Sequence, residues 1–491
     1  MGHGLFVPRV ESGKTALAES AAALRTQNRV ARQTGQPGDP ADRLAHLRRK
    51  AWQHVCRRGT CRIPSPDAMA TEKQALPVET SGRGRRPSAA LRLSGVAVLC
   101  LALAGCGALP RNPTPAQHAL QGSIPSFPDV RAWAGQPSSM LEMDLAQSFA
   151  QESPQDFPPA PDGTVRYAHL ALSGGGANGA FGAGFLNGWS GTGTRPMFKI
   201  VTGVSTGALM APFAFIGPDY DLALQKFYTT TSSGDIFRLR STFGLLWQLM
   251  AGEALADTLP LQTMIARHVD DELLRRVAEA HQRGRRLYMG TTNIDAPRFV
   301  VWNMGLIASS GRPDALELFR KIMLASASIP VAFPPVFFEV ELRPGGPRYD
   351  EMHVDGGVGA RVFLNGGVFS GHVIRRRGGH GGSGVEDIFV IHNGQLIPQP
   401  DPIGRSLSEI AVRVIDASGR AAAVGDLFRI YSYARDEGGS FRWITIPEDV
   451  DMIGDEVFDP VQMQALYDLG HRMAAGSAEW FTQPPGRRPE P

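Results

Sequence analysis

One serine of the sequence has the flanking residues of a catalytic nucleophile. Ser205 stands in Gly203-Val204-Ser205-Thr206-Gly207, between a segment typical of a strand and a segment typical of a helix. A Gly-x-Ser-x-Gly turn in that position is a nucleophile elbow, because its glycines permit a tight turn that exposes the serine hydroxyl. The N-terminus of the following helix favours developing negative charge beside the turn. The pattern therefore predicts acyl transfer at the Ser205 hydroxyl.

A serine hydroxyl is a weak nucleophile, so this prediction requires a base. Asp355 lies in Asp355-Gly356-Gly357, where the two glycines leave backbone room around the carboxylate. His392, in Phe389-Val-Ile-His-Asn393, is a second candidate, because Ser, Asp, His is also the chain order of an α/β-hydrolase triad. At this point both a direct Ser–Asp pair and a triad with His392 as the base remain open.

A glycine-rich turn precedes Ser205 by about 30 residues. Its glycines are Gly174, Gly175, Gly176 and Gly179, and they let the backbone present N–H groups at a helix N-terminus. The spacing formally matches a dinucleotide fingerprint, but that motif needs an acidic residue about 20 positions further on. After Asp162 the next acidic residue is Asp219, so the match fails and an oxyanion hole is favoured.

These residues need strands and helices that bring them together. Residues 167–172 are predicted as a strand that runs into the glycine turn, with a helix following through Trp189. Residues 198–202 are predicted as the strand before Ser205, and residues 208–216 as the helix after it. Apolar strands alternating with helical stretches indicate an α/β fold with a largely parallel sheet.

The three motifs together resemble the patatin-like phospholipase family over about residues 165–395. The resemblance implies a three-layer α/β/α fold, Ser205 as the nucleophile and Asp355 as the general base, without a histidine. It also implies an oxyanion hole from the N–H groups of Gly174, Gly175 and Gly176, and hydrolysis of lipid acyl esters through an acyl-serine intermediate. The remaining motif glycines are Gly179, Gly203, Gly207, Gly356 and Gly357. One departure is Asn178, where the family often has Lys or Arg.

The charge is divided unevenly along the 491 residues. Residues 1–105 hold 17 basic and 7 acidic side chains, whereas the rest holds 33 basic and 40 acidic ones. An acidic body gives no basis for nucleic-acid binding, which needs a basic face. No motif in the sequence calls for a metal or another cofactor, and the expected partners are a lipid or acyl-ester substrate and a membrane.

The membrane prediction comes from an apolar run over residues 93–104 that follows a basic stretch. The run is too short to span a bilayer and reads as a secretory signal over residues 69–105. Leu103-Ala104-Gly105-Cys106 resembles the bacterial lipobox, which implies lipidation of Cys106. We expect a membrane-anchored lipoprotein of the cell envelope, in the outer membrane and facing the periplasm. Residues 1–68 do not fit a signal, so we interpret Met69 as the start and the preceding segment as a non-native or disordered extension, with an unusually long cytoplasmic lead as the alternative.

The rest of the chain is predicted as a Pro-rich tether over residues 106–161 and a catalytic domain over residues 162–485. The tether has ten prolines from Gly107 onwards and one short helix predicted at Ser139–Gln151. Residues 237–256 are apolar and are interpreted as a buried helix, with a lipid-contacting lid as the alternative. A lipoprotein that keeps this fold as a binding module, with catalysis lost, is a third hypothesis for function.

Overall fold

Strands and helices alternate along the chain in the computed structural model. It describes residues 110–230, 232–236, 238–239, 256–365, 384–397, 400, 402–451, 458–476 and 479–487. The predictions for 1–68, for the signal at 69–105, for Cys106 and for nearly all of the 237–256 segment lie outside the described residues. Among the helices that are described, none is both long enough and apolar enough to cross a membrane.

The strands are β1 (Arg131–Trp133), β2 (Val165–Leu172), β3 (Phe198–Val204), β4 (Arg238–Leu239), β5 (Ala256–Asp257), β6 (Arg286–Asn293), β7 (Arg298–Asn303), β8 (Val336–Glu341), β9 (Arg348–Asp355), β10 (Gly384–His392) and β11 (Ser440–Thr445). The helices are α1 (Ser139–Gln151), α2 (Gly179–Gly191), α3 (Thr206–Ile216), α4 (Asp221–Thr229), α5 (Ser233–Ile236), α6 (Leu259–His268), α7 (Asp271–Gln282), α8 (Met304–Ala308), α9 (Ala315–Ser326), α10 (Leu407–Asp436) and α11 (Pro460–Ala475). The strands and helices predicted around the glycine turn and around Ser205 are present within two residues of the predicted bounds.

Nine of the described strands form one mixed sheet in the order β1-β7-β6-β3-β2-β10-β11, with β9 paired to β6 and β8. Strands β6, β3, β2, β10 and β11 run parallel to one another, whereas β7 is antiparallel to β6. The carboxyl ends of β2 and β3 therefore meet at one edge of the sheet, where ligands bind in open α/β folds. Strand β9 runs antiparallel to β6 and ends with Asp355 opposite Thr291.

Both faces of the parallel region are buried, as expected for a sheet with helices on each side. On β10, Phe389 and Ile391 belong to one apolar cluster, whereas Ile388 and Val390 belong to another. Helices α2, α3 and α11 cover the first face, and helices α1 and α10 cover the opposite face. The fold is thus a mostly parallel sheet in a three-layer α/β/α arrangement, as predicted from the sequence.

Residues 110–161, which the sequence analysis assigned to a tether, are packed into the domain. Strand β1 extends the sheet by pairing with β7. Helix α1 has the predicted bounds and buries Leu141, Leu145 and Phe149, an apolar stripe at four-residue spacing. Arg131 of β1 reaches Glu351 of β9 at 2.6 Å, with both side chains almost fully buried. The correction has a physical reason, since an apolar stripe and a buried ion pair both require a partner surface.

Candidate active site

The turn after β3 holds Ser205 in a strained backbone conformation. Its φ is 55° and its ψ is −127°, in a region that non-glycine residues rarely adopt. A Cβ on Gly207 would lie 2.3 Å from the carbonyl oxygen of Leu172, and one on Gly203 would lie 2.4 Å from the carbonyl oxygen of Gly207. Only glycine fits at these two positions, because the chain passes so close to itself. The backbone around Ser205 therefore has the tight turn that the sequence analysis predicted for a nucleophile elbow.

The hydroxyl of Ser205 donates directly to the carboxylate of Asp355. The distance from Oγ to Oδ2 is 2.6 Å. Both residues are buried, with 6% of Ser205 and 5% of Asp355 exposed. The other carboxylate oxygen, Oδ1, accepts the backbone N–H of Gly357 at 2.6 Å. A nucleophile and an acceptor in hydrogen-bond contact satisfy the geometric requirement for proton transfer between them.

The protein environment raises the pKa of Asp355 to about 6. Burial is the main cause, since it disfavours the charged carboxylate. Hydrogen bonds from Ser205 and Gly357 and the positive charge of Arg361 act in the opposite direction and lower the pKa. The balance gives a carboxylate that is ionised at neutral pH and more basic than an exposed aspartate, which suits a general base.

A triad would require His392 to contact Ser205 and Asp355, but the hydrogen bond of its ring goes to another residue. Its Nδ1 lies 2.9 Å from the hydroxyl of Thr445 on the neighbouring strand β11. Burial lowers its pKa to about 4, so the ring is neutral at pH 7. Within the described residues the hydrogen-bond partners of the Asp355 side chain are Ser205 and Gly357, so no imidazole stands between the serine and the aspartate.

The glycine turn after β2 faces the elbow. A Cβ on Gly174 would lie 3.1 Å from the Cβ of Ser205, which puts the turn beside the nucleophile. The N–H of Gly174 donates to the carbonyl oxygen of Arg361 at 3.0 Å, so it is already occupied. In the described part of the chain the N–H groups of Gly175 and Gly176 donate to no protein acceptor. Of the three predicted oxyanion donors, Gly174 already donates its N–H within the protein, whereas Gly175 and Gly176 have N–H groups available; the oxyanion hole itself stays a prediction.

Asn393, directly after β10, fixes the position of the glycine turn through hydrogen bonds to Ser173. Its backbone N–H donates to the hydroxyl of Ser173 at 2.8 Å, and its side-chain amide donates to the Ser173 carbonyl at 2.9 Å. A Cβ on Gly175 would lie 1.9 Å from the carbonyl oxygen of Asn393, so the turn fits only without a side chain there. Because these contacts already fix the loop, it does not need to rearrange when negative charge develops near it.

Two serines to which the sequence analysis gave no role, Ser326 and Ser328, connect the elements of the site. The hydroxyl of Ser326, at the end of α9, accepts the Ser205 N–H at 3.0 Å and donates to the Gly290 carbonyl at 2.6 Å. The carbonyl of Ser328 accepts the Asp355 N–H at 2.8 Å. The end of α9 and the residues just after it therefore hold the backbone of both Ser205 and Asp355. The Ala-Ser-Ala-Ser composition of this segment, unusual for an apolar helix end, was the available signal.

Asn178, the departure from the family pattern, lies at the start of α2. Its N–H donates to the carbonyl oxygen of Gly175 at 3.1 Å, which closes the tight turn Gly176–Asn178. Its side chain makes no capping hydrogen bond to the helix. Asn178 therefore contributes to the loop through its backbone.

Comparison with known proteins assigns this arrangement to a class. Residues 170–365 match the family model described as patatin-like phospholipase, so the chain contains a patatin-like phospholipase domain. The matched family model supports lipid acyl hydrolase activity for this domain. The matched region contains the glycine turn, Ser205 and Asp355.

Two solved structures are similar to the chain. VipD from Legionella pneumophila has 12% sequence identity and a TM-score of 0.32, with 65% of this chain and 69% of that chain covered. The complex of SpcU with ExoU, from the type III secretion system of Pseudomonas aeruginosa, has 13% identity and a TM-score of 0.25. That match covers 75% of this chain and 60% of the other. No curated protein matches the sequence.

Proposed function

We propose that the protein is a serine hydrolase that cleaves lipid acyl esters through a Ser205–Asp355 dyad and an acyl-serine intermediate. The observation that carries the proposal is the 2.6 Å contact between the Ser205 hydroxyl and the Asp355 carboxylate on a strained elbow. Charge-assisted contacts of this kind prepare the hydroxyl for loss of its proton.

The proposed reaction begins when the Ser205 Oγ attacks the ester carbonyl and its proton passes to Asp355. The carbonyl oxygen becomes an oxyanion, which the N–H groups of Gly175 and Gly176 stabilise. Loss of one such donor costs about 10²–10³ in rate in comparable sites. The tetrahedral intermediate collapses, the ester C–O bond breaks, and Asp355 returns the proton to the leaving alcohol.

The acyl-serine is then removed by water. Asp355, again ionised, takes a proton from the water as it attacks the acyl carbonyl. The second tetrahedral intermediate expels Ser205 Oγ, which recovers the proton and releases a free fatty acid. The same carboxylate thus acts as base and acid in alternation.

Labelling with a fluorophosphonate probe tests the proposal. We expect the purified chain to form a covalent adduct that peptide mass spectrometry locates at Ser205, and to hydrolyse short-chain acyl esters. Asp355→Asn should slow labelling, because the hydroxyl loses its base. A folded wild-type chain that takes no label and turns over no ester would overturn the proposal and favour the binding module.

We also propose that Cys106 carries a lipid anchor and that the mature protein is an outer-membrane lipoprotein facing the periplasm. The support is the lipobox-like Leu103-Ala104-Gly105-Cys106 after an apolar run. Metabolic labelling of growing cells with an alkyne fatty acid tests it. Labelling that persists unchanged in Cys106→Ser would refute lipidation at this residue.

A further inference from the structure

The guanidinium of Arg361 lies close enough to Asp355 for its positive charge to lower the pKa of that carboxyl group, but within the described residues it forms no ion pair with a carboxylate. Arg361 follows the short turn Gly356–Val358 by three residues, and Asp355 is the N-cap of that turn. Its Nε is buried and has no hydrogen-bond partner. From Nη2 a long hydrogen bond of 3.4 Å reaches the carbonyl oxygen of Ile415 on α10. Most of the donors of this guanidinium are thus unused.

A glycine inside helix α10 makes room for the guanidinium. A Cβ on Gly419 would lie 1.8 Å from Nη2 and 2.3 Å from Cζ of Arg361. Glycine destabilises a helix interior relative to alanine. Its presence at position 419 therefore lowers the stability of the helix but leaves space for the guanidinium. On the other side, a Cβ on Gly357 would lie 3.4 Å from Nη1 of Arg361 and 2.9 Å from Oδ1 of Asp355. The guanidinium therefore occupies a slot between two glycines, near the carboxylate and not bonded to it.

The backbone of Arg361 is held independently of its side chain. Its N–H donates to Oδ2 of the buried Asp426 at 2.7 Å, and its carbonyl accepts the N–H of Gly174 at 3.0 Å. The residue therefore keeps a set position relative to the oxyanion loop. Changing its side chain leaves both backbone hydrogen bonds possible.

We propose that the guanidinium of Arg361 is an anion subsite that binds the phosphate of a phospholipid whose acyl ester faces Ser205. The proposal rests on the proposed function and names the substrate class of that site. A half-buried arginine with a planar fork of free donors binds phosphate through paired, charge-assisted hydrogen bonds. A neutral glyceride has no group that would use this charge, so the subsite selects phospholipids over neutral lipids.

Two soluble substrates with the same ester test the proposal, namely dihexanoyl phosphatidylglycerol and dihexanoylglycerol. We expect Arg361→Met to lower the ratio of their kcat/KM values, phospholipid over glyceride, by about tenfold or more. Arg361→Lys should retain part of the preference, because the charge remains while the fork is lost. Equal losses on both substrates would overturn the proposal, because they would mean that Arg361 acts on the dyad alone.

Helix α10 supplies a matched pair of variants. Gly419→Ala should displace the guanidinium and lower the ratio, with an unchanged or higher melting temperature because alanine favours the helix. Gly425→Ala makes the same change in the same helix where nothing lies within 4 Å of the new methyl group. It should leave the ratio unchanged. If the ratio of the two kcat/KM values falls equally in Gly419→Ala and Gly425→Ala, the space at Gly419 is not what positions the guanidinium.

Binding without turnover separates this proposal from the proposed function. In a Ser205→Ala background, calorimetry should give a Kd for dihexanoyl phosphatidylglycerol that rises about tenfold when Arg361→Met is added. An unchanged Kd would overturn the subsite. A wild-type chain that binds the phospholipid through Arg361 and hydrolyses no ester would instead contradict the proposed function and support the subsite.

Discussion

The hydroxyl of Ser326 accepts the backbone N–H of Ser205 at 3.0 Å, although the two residues lie 121 positions apart. The N–H of a residue with positive φ at the start of a helix has no intrahelical acceptor. Ser326 supplies one, and its own proton goes to the Gly290 carbonyl on β6. The strained elbow is thereby fastened to a neighbouring strand by a single side chain.

Removing this hydroxyl should destabilise the elbow. We expect Ser326→Ala to lower the free energy of unfolding by about 1–3 kcal/mol, because two buried backbone groups lose their partner. Ester hydrolysis should fall by about tenfold or more. Thermal unfolding and initial rates measure the two effects. Ser328→Ala is the matched control, because its hydroxyl contacts only the Leu324 carbonyl among described residues, and its bond to Asp355 is made by the backbone.

The dyad predicts a different outcome from the triad when the three candidate side chains are changed. Ser205→Ala should abolish hydrolysis, and Asp355→Asn should lower kcat by about 10²–10⁴, the range for a general base. His392→Ala should retain most of the activity, because the ring contacts Thr445 and not the dyad. A folded His392→Ala variant with the activity of Asp355→Asn would instead support the triad.

The rate should depend on pH through Asp355. Burial raises its pKa to about 6, and only the ionised form accepts the Ser205 proton. We therefore expect kcat/KM for a neutral short-chain ester to be level above pH 7 and to fall about tenfold per pH unit below pH 6. A level profile down to pH 4 would contradict Asp355 as the base.

The same carboxylate should make the protein less stable at neutral pH. Its folded-state pKa of about 6 is above the ordinary value of 3.8, so the folded state prefers the protonated form. Its favourable contribution is fully present below pH 3.8 and is lost as the pH rises through 6. Asp355→Asn lacks this loss and should be more stable than the wild type by up to about 3 kcal/mol at pH 8. Urea unfolding at pH 4 and pH 8 checks it, and the advantage should shrink at the lower pH.

Residues 110–161 should contribute to folding stability. Arg131→Met leaves Glu351 charged and buried, at a cost of about 3–5 kcal/mol in the free energy of unfolding. Arg111→Met breaks more exposed ion pairs, to Asp295 and Asp350, and should cost about 1 kcal/mol or less. If the two variants unfold at the same temperature, the segment is not part of the cooperative domain.

The local part of the site could be predicted from the sequence, because its determinants are local. The glycines around Ser205 and the strand and helix beside it are contiguous in the chain, and the structure has them at the predicted positions. The helix at Ser139–Gln151 was also predicted, and its stripe of Leu141, Leu145 and Phe149 was a readable sign that it packs against something.

The contacts between distant residues could not be predicted in this way. Nothing near Gly174 indicates that its N–H is used by Arg361, which lies 187 positions later and approaches through the turn after β9. The same holds for Ser326, whose hydroxyl is one of many in the sequence. The packing of loops and of a helix end against the sheet decides these contacts, and a single sequence does not encode that packing in any local pattern.

The 150-residue separation between Ser205 and Asp355 also affects the protein during its synthesis. The ribosome makes the nucleophile first, and a growing chain that has not reached strand β9 holds it without a proton acceptor. Fragments that end before Asp355 should therefore be unable to attack the lipids of the cell that makes them. On the proposed mechanism, the order of the two residues along the chain keeps every incomplete chain inactive until the domain is finished.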